Sequence, residues 1–231
     1  VGLTFFSIPK AFRGQAKIAQ YNALESWTRL TDRIILFGNE RREPGIKKAA
    51  ARFGCEVKGI RRDSEYGVPL VNSAFKQIQS LGPEVAMFTN ADMMFFPDLL
   101  EAVNVARAGL LSGKFLLIGR KTDMDIRKPI DFSSGWEDRL RKRKGRLHGA
   151  AGLDYFIFTP DVYDYREMPQ FAIGRRAWDN WLAFHAMEKR DVAVVDVTES
   201  VLAIHHTNVK PKPFTHPLVE RNRKNAGEAG T

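Results

Sequence analysis

Val85-Ala86-Met87-Phe88-Thr89-Asn90-Ala91-Asp92 is the stretch on which the fold is decided. Five mostly apolar residues leave a Gly82-Pro83 break and run into a polar Asn-Ala-Asp step, which predicts a compact strand ending in a ligand-facing loop. Upstream, residues 69–81 carry Val71, Ala74, Phe75 and Ile78 at helical spacing, and Gly82-Pro83 stops that helix. Further back the same rhythm recurs. A β-like run at 3–8 ends at Pro9, and a helix over 15–30 presents Ile18, Ala19, Ala23, Leu24 and Trp27. A strand at 33–37 then stops at Gly38-Asn39, a short basic helix follows at 46–53, and a third strand at 55–60. Downstream lie a helix over 99–108 and a strand at 115–118 closed by Gly119. Five strands with intervening helices predict βαβ units, hence an α/β fold with a mostly parallel central sheet.

The second half changes rhythm. Residues 123–146 are polar and charged, with Trp136 as a landmark. A strand is expected at 153–159, an amphipathic helix at 178–189, and strands at 192–197 and 201–204 ahead of His205-His206. No linker or repeat divides the chain, so one domain is expected over 1–210. A basic tail over 211–231 is expected to be flexible or to pack late.

The 231 residues are 44% hydrophobic with 16 Phe, enough for one sizeable α/β core. No apolar run reaches the ~18 residues of a membrane span, and Val1 opens no recognisable signal peptide. The single Cys55 excludes an internal disulfide framework and a cysteine-built zinc site. A reduced, soluble cytoplasmic protein is the expectation.

The formal charge is +9, and it is clustered. Arg41, Arg42, Lys47, Lys48, Arg52, Lys58, Arg61 and Arg62 form one group; Arg139, Arg141, Lys142, Arg143, Lys144 and Arg146 form another. With the tail from Lys210 these regions total +13 and leave the rest of the chain at −4. Such fields attract polyanions, although an ordinary solvated surface looks the same in sequence. No aromatic residue interrupts 139–146, so phosphate contact fits that run better than base stacking.

Several chemistries are absent. There is no GxGxxG after the first strand, no GxxxxGK[ST], no HExxH and no GxSxG; the Ser7/Lys10 spacing of SxxK lacks its partner motifs. Candidates come instead from strand ends, where ligands gather in α/β sheets. Asn90 and Asp92 follow the central strand and, by alternation, share a side. Asp92 suits a hard divalent ion, and an Asx turn or helix cap is the alternative. His205 and His206 end another strand; an imidazole there could hold Mn2+, and adjacent strand residues face opposite ways, so one of the two reaches the site. Asp179 opens the 178–189 helix as either a cap or a general base. Trp178 and Trp181 beside it suit an apolar wall or core packing, and Asp154 could bind a donor hydroxyl.

In this order the fragments TFFSIPKAF, IILFGNE, EYGVPLVN, FTNADMMFF, FLLIGR, GLDYFIF, FAIGRRAWDNWL and VLAIHH resemble the GT-A-type nucleotide-sugar glycosyltransferases, in particular small bacterial and phage members. The resemblance spans about residues 3–208. It implies a Rossmann-related GT-A-like domain, a nucleoside diphosphate sugar (a UDP-sugar) as donor, and Mn2+ or Mg2+ on its diphosphate. It carries nucleotide contact to Ile8, Pro9 and Lys10, with Asp63 and Glu65 as further candidates. Metal-diphosphate contact falls on Asn90 and Asp92. Asn90 stands where the family motif has its first acid, which leaves Asp92 as the one carboxylate, with Asn90 on ribose or metal binding weak. The late metal-ligand position maps to the histidine pair, His206 preferred and His205 the alternative. Gly152, Leu153 and Asp154 map to the donor-sugar pocket, and Asp179 to the catalytic base of inverting members.

The cationic clusters then suggest DNA as acceptor, with phosphates on Arg41, Arg42, Arg61, Arg62 and the 139–146 run, and a flipped hydroxymethylated pyrimidine in the site. A polysaccharide or cell-envelope acceptor is the competing enzymatic reading. A non-enzymatic nucleic-acid-binding module is the competing reading without catalysis.

Overall fold

A computed structural model describes residues 2–110, 113–149, 152–207 and 216–227. Alternation along the central strands explains the architecture. In Leu3–Ser7 (β1) and Val85–Thr89 (β4) every residue is buried, because helices cover both faces of the sheet. Phe5 and Met87 point into one core, with Trp27, Leu117, Tyr155 and Ile157. Phe6 and Phe88 point into the other, with Phe75, Phe156, Phe158 and Trp178.

The remaining strands are Arg33–Phe37 (β2), Glu56–Lys58 (β3), Met93–Met94 (β5), Lys114–Arg120 (β6), Thr122–Met124 (β7), Arg146–Leu147 (β8), Leu153–Phe158 (β9), Val192–Asp196 (β10) and Ile204–His206 (β11). The α-helices are Gly14–Trp27 (α1), Ile46–Phe53 (α2), Val71–Leu81 (α3), Asp98–Val105 (α4), Trp136–Arg141 (α5), Trp178–Met187 (α6) and Pro217–Ala226 (α7). The main sheet has the order β10-β6-β9-β4-β1-β2-β3. β9 alone is antiparallel, pairing that way with both β4 and β6. The expected α/β architecture with a largely parallel sheet is thus observed. A second sheet, β5-β11-β7-β8, stands at the C-terminal edge of the first.

Local packing fixes this edge. Trp27 stacks on Phe5 at 5.4 Å, and its buried indole N–H donates to the Met93 carbonyl at 2.8 Å. Two buried amides of α1 act as staples. Gln20 accepts from the Lys10 backbone N–H (2.7 Å) and donates to the Lys10 carbonyl (3.1 Å). Asn22 donates to the Lys128 carbonyl and accepts from the Ile130 N–H.

Three expectations are corrected. The strand at 115–118 continues through Gly119 to Arg120, because a side chain at 119 would collide with the Tyr155 hydroxyl; this glycine makes room and does not end the strand. The helix over 99–108 ends at Val105 and passes into a π turn, Ala106–Leu110. The strand at 201–204 lies at Ile204–His206, since the Val201 N–H bonds the Val197 carbonyl and the Leu202 N–H the Asp98 carboxylate. The charged stretch 123–146 holds β7, α5 and the start of β8. Within 211–231, Pro217–Ala226 is helical and packs on the domain: buried Asn222 bonds both the N–H and the carbonyl of Ala172. Residues 211–215 and 228–231 lie outside the described residues. Among the described residues no helix is long and apolar enough to cross a membrane.

Candidate active site

The ends of β1, β4, β7, β9 and β11 and the start of α6 bring an acidic and basic strip together. β1 ends with Ser7, whose hydroxyl donates to the Thr89 carbonyl at 2.5 Å and ties the two central strand ends together. Ile8 and Pro9 are buried, and Lys10 emerges half-exposed with its backbone held by Gln20. Its ammonium lies 3.2 Å from Asp92 Oδ2.

The chain turns at Asn90, closed by the Met93 N–H on the Asn90 carbonyl, so strand alternation stops there. Asn90 and Asp92 consequently serve different partners. The Asn90 amide donates to Asp154 Oδ1 at 2.8 Å, whereas Asp92 faces Lys10 and His205. Burial works to raise the Asp92 pKa, but Lys10 and His205 outweigh it and hold the carboxyl below its usual range.

Register decides between the histidines. His205 pairs directly with Asp123 across β11 and β7, so the two share a face. Its Nδ1 is 2.9 Å from Asp123 Oδ1 and its Nε2 is 3.9 Å from Asp92 Oδ1. His206, the residue preferred from the resemblance, points the other way and is fully buried, with Nδ1 3.4 Å from the Ile126 carbonyl. Burial pushes its pKa down to about 4 and keeps the ring neutral. Its backbone N–H bonds the Asp92 carbonyl (3.3 Å), so it staples the loop while its neighbour presents the imidazole.

On the other side, Asp154 forms an ion pair with Lys121 and receives the Asn90 amide. Asp179 stands in the first turn of α6, with Oδ1 accepting from the Asn180 N–H at 3.0 Å. Burial pushes its pKa up to about 6 against that N–H, and the Asp154 charge adds to the rise. Ala177, just before α6, holds φ 82° and is the one non-glycine residue with positive φ among those described. That left-handed backbone costs about 1–2 kcal/mol and aims the start of the helix. Trp178 packs on Phe88 and Phe156, and Trp181 on Phe171 and His185, so both tryptophans serve packing.

Other sequence candidates lie apart from this strip. Asp63 accepts the Tyr66 and Glu65 N–H groups and the Arg221 guanidinium (2.6 Å), closing its own turn onto α7; Glu65 is exposed on that turn. Among the expected phosphate-binding cations, Arg62 lies against Glu43 at 2.7 Å, both largely buried. Arg139 folds onto the Ser134 and Asp131 carbonyls, Arg141 pairs with Asp98, Arg143 reaches the Asp125 carbonyl, and Arg146 approaches Asp123 at 3.6 Å. Arg41, Arg42, Arg61, Lys142 and Lys144 are exposed. A cavity of about 490 Å3 lined by Ile126, Ile130, Trp136 and Leu140 adjoins the strip without including its carboxylates. The strip is a candidate on the chemistry of its side chains, which lie outside that cavity.

Three of its residues were missed in the sequence: Lys121, Asp123 and His148. Lys121 carried one signal, its place directly after a strand; the other two sit in short strands and turns without periodicity.

Among the described residues no three His, Cys, Asp or Glu side chains gather into a closed metal site. Asp92 Oδ1 and His205 Nε2, 3.9 Å apart, nevertheless fit one ion. Two bonds of ~2.1 Å span up to ~4.2 Å, and Mg2+-like ions take few protein ligands beside phosphate oxygens. The fit is that of an open, two-ligand site.

No family model and no curated protein matches the chain. Solved structures do. S. aureus TarS 1-349 in complex with UDP-GlcNAc aligns with a TM-score of 0.57 at 12% identity, over 96% of this chain and 64% of TarS. GalNAc-T7 with UDP, GalNAc and Mn2+ aligns with a TM-score of 0.52 at 12% identity, over 96% of this chain and 47% of that one. 4-Diphosphocytidyl-2C-methyl-D-erythritol synthase from Anaerococcus prevotii aligns at 0.47 and 16% identity, over 97% and 99%. At these identities the likeness concerns the fold, which is a single α/β domain of GT-A-like, Rossmann-related architecture.

Proposed function

We propose that the protein is a glycosyltransferase that moves a sugar from a nucleoside diphosphate sugar, a UDP-sugar, to an acceptor hydroxyl. The observation that carries this reading is Asp179: a carboxyl with its pKa pushed up to about 6, beside Asp154, on the same edge as Lys10, Asp92 and His205. Such a carboxyl is ionised at neutral pH and basic enough to take a proton. Asp179 accepts the acceptor's hydroxyl proton as that oxygen bonds to the anomeric carbon. The bond from that carbon to the diphosphate oxygen breaks with its electrons, and the Lys10 ammonium faces the charge that develops. Asp154, steadied by Asn90 and Lys121, holds a donor hydroxyl. Asp92 and His205 would hold Mn2+ or Mg2+, which supplies further charge neutralisation at the diphosphate.

The acceptor is proposed to be a hydroxyl of a polysaccharide or cell-envelope polymer. Part of the cationic surface that a DNA track would use is already paired with carboxylates of the chain, Arg62 with Glu43 and Arg141 with Asp98, while Arg41, Arg42, Arg61, Lys142 and Lys144 stay exposed. The test is a panel of nucleoside diphosphate sugars with Mn2+ or Mg2+, with donor hydrolysis and acceptor mass as readouts, for wild type and Asp179→Asn. Turnover by wild type and its loss in the variant support the proposal. No turnover with any donor, metal or acceptor defeats it in favour of a binding module. Salt-sensitive duplex-DNA binding with transfer to a hydroxymethylated base would restore DNA as acceptor.

A further inference from the structure

The carboxylate of Asp123 receives two imidazoles at once. His205 Nδ1 lies 2.9 Å from Oδ1, and His148 Nδ1 lies 2.9 Å from Oδ2. An ionised carboxylate offers only acceptors, so each ring nitrogen facing it must carry a proton. With its Nδ1 turned to Asp123, His205 has Nε2 as the ring nitrogen that faces Asp92. At 3.9 Å from Asp92 Oδ1 that atom is too distant for a hydrogen bond and is left to a ligand.

The second imidazole ties Asp123 to the opposite side of the cleft. The His148 N–H bonds the Lys121 carbonyl at 2.9 Å, and its ring lies where a side chain at Gly152 would have to be. The Gly152 N–H bonds the Gly149 carbonyl at 3.0 Å, and β9 with Asp154 follows directly after Gly152. One carboxylate, on an inner strand of the small sheet, thus contacts both the His205 ring and the ring packed on Gly152.

We propose that Asp123 is a positioning residue that holds His205 and His148 in the Nδ1–H form, presenting His205 Nε2 beside Asp92 to a divalent cation and seating the His148 ring against Gly152, just ahead of Asp154. This rests on the glycosyltransferase reading for the cation's purpose, but not for the proton's position.

The test has two arms on the full chain. Histidine 15N–1H correlation spectra of the wild type, assigned with His205→Gln and His148→Gln, are expected to show the proton of both rings on Nδ1. Mn2+ binding followed by electron paramagnetic resonance without donor is expected to weaken about 10–100-fold in Asp123→Asn, the usual effect of losing a partner that orients a metal ligand. His205 protonated on Nε2 in the wild type overturns the proposal, as does an Asp123→Asn variant that binds Mn2+ like wild type. If wild type binds no Mn2+, the cation reading under the proposed function fails, and the tautomers alone then judge the role of Asp123.

Discussion

Replacing Asp179 by Asn should make the protein more stable at neutral pH while abolishing transfer. The carboxyl's pKa is pushed from 3.8 up to about 6 on folding, so the folded state prefers it protonated. Below pH 3.8 both states hold the proton and the group has no effect. As pH rises through 3.8 the unfolded chain ionises first and folding loses ground, until above pH 6 the full cost is present. The cost is about 3 kcal/mol at pH 8, roughly half of that at pH 5, and small at pH 4. For a chain of this size about 3 kcal/mol moves Tm by roughly 6–12 °C, less whatever the buried Asn amide costs. Wild type alone will not reveal the effect. His206, with its pKa pushed from 6.5 down to about 4, gives stability that is full above pH 6.5 and lost as pH falls toward 4, a slope of similar size and opposite sign. The assay is therefore the Tm difference between Asp179→Asn and wild type across pH 4–8, beside the transfer rate, which should fall roughly 10²–10⁴-fold. A variant no more stable than wild type at pH 8, or a difference that does not change with pH, would refute the argument that burial has made this carboxyl a base.

Three other outcomes are expected. Asp154→Asn removes a negative charge that raises the Asp179 pKa, so the acid limb of the transfer rate should move to lower pH; an unmoved limb would separate the two carboxylates. Ala177→Gly should be nearly neutral in denaturant unfolding, within about 1 kcal/mol, because relief of about 1–2 kcal/mol of left-handed strain offsets the lost methyl and the added chain entropy; a loss above about 2 kcal/mol would mean that the strain is absent. Glu43→Ala should cost about 3–5 kcal/mol, since it strands the largely buried Arg62 and removes the acceptor for the Asn39 N–H; equilibrium unfolding with a loss under about 1 kcal/mol would contradict it.

The fold was largely legible because its signals are local. The runs ending at Ser7, Phe37 and Thr89 are apolar, short and bounded by turn residues, and they became adjacent parallel strands. Where the reading slipped, a tertiary contact outweighed a local rule. Gly119 does not break β6 because Tyr155 occupies the space its side chain would need. The β7 and β8 strands were not legible because two or three polar residues carry no period, and only pairing with β11 makes them a sheet. At the site, Asp92 and Asp179 could be picked out from their places at a strand end and a helix start. Asp123 and His148 could not, since their roles exist only in contact with each other and with His205.

The amino-acid order by itself determined the main-sheet strands and the helices between them, and that polar groups collect where those strands end, because burial on two faces and turn chemistry are written within a few residues. Tertiary structure alone decided that β9 runs against its neighbours, that Asn90 serves Asp154 while Asp92 faces Lys10, and that His205 instead of His206 enters the cleft. The first two rest on the antiparallel pairing of β9 with β4 and β6; the last rests on the pairing of β11 with β7, residues 82 positions apart in the case of His205 and Asp123, where a shift of one residue in register would exchange the two imidazoles.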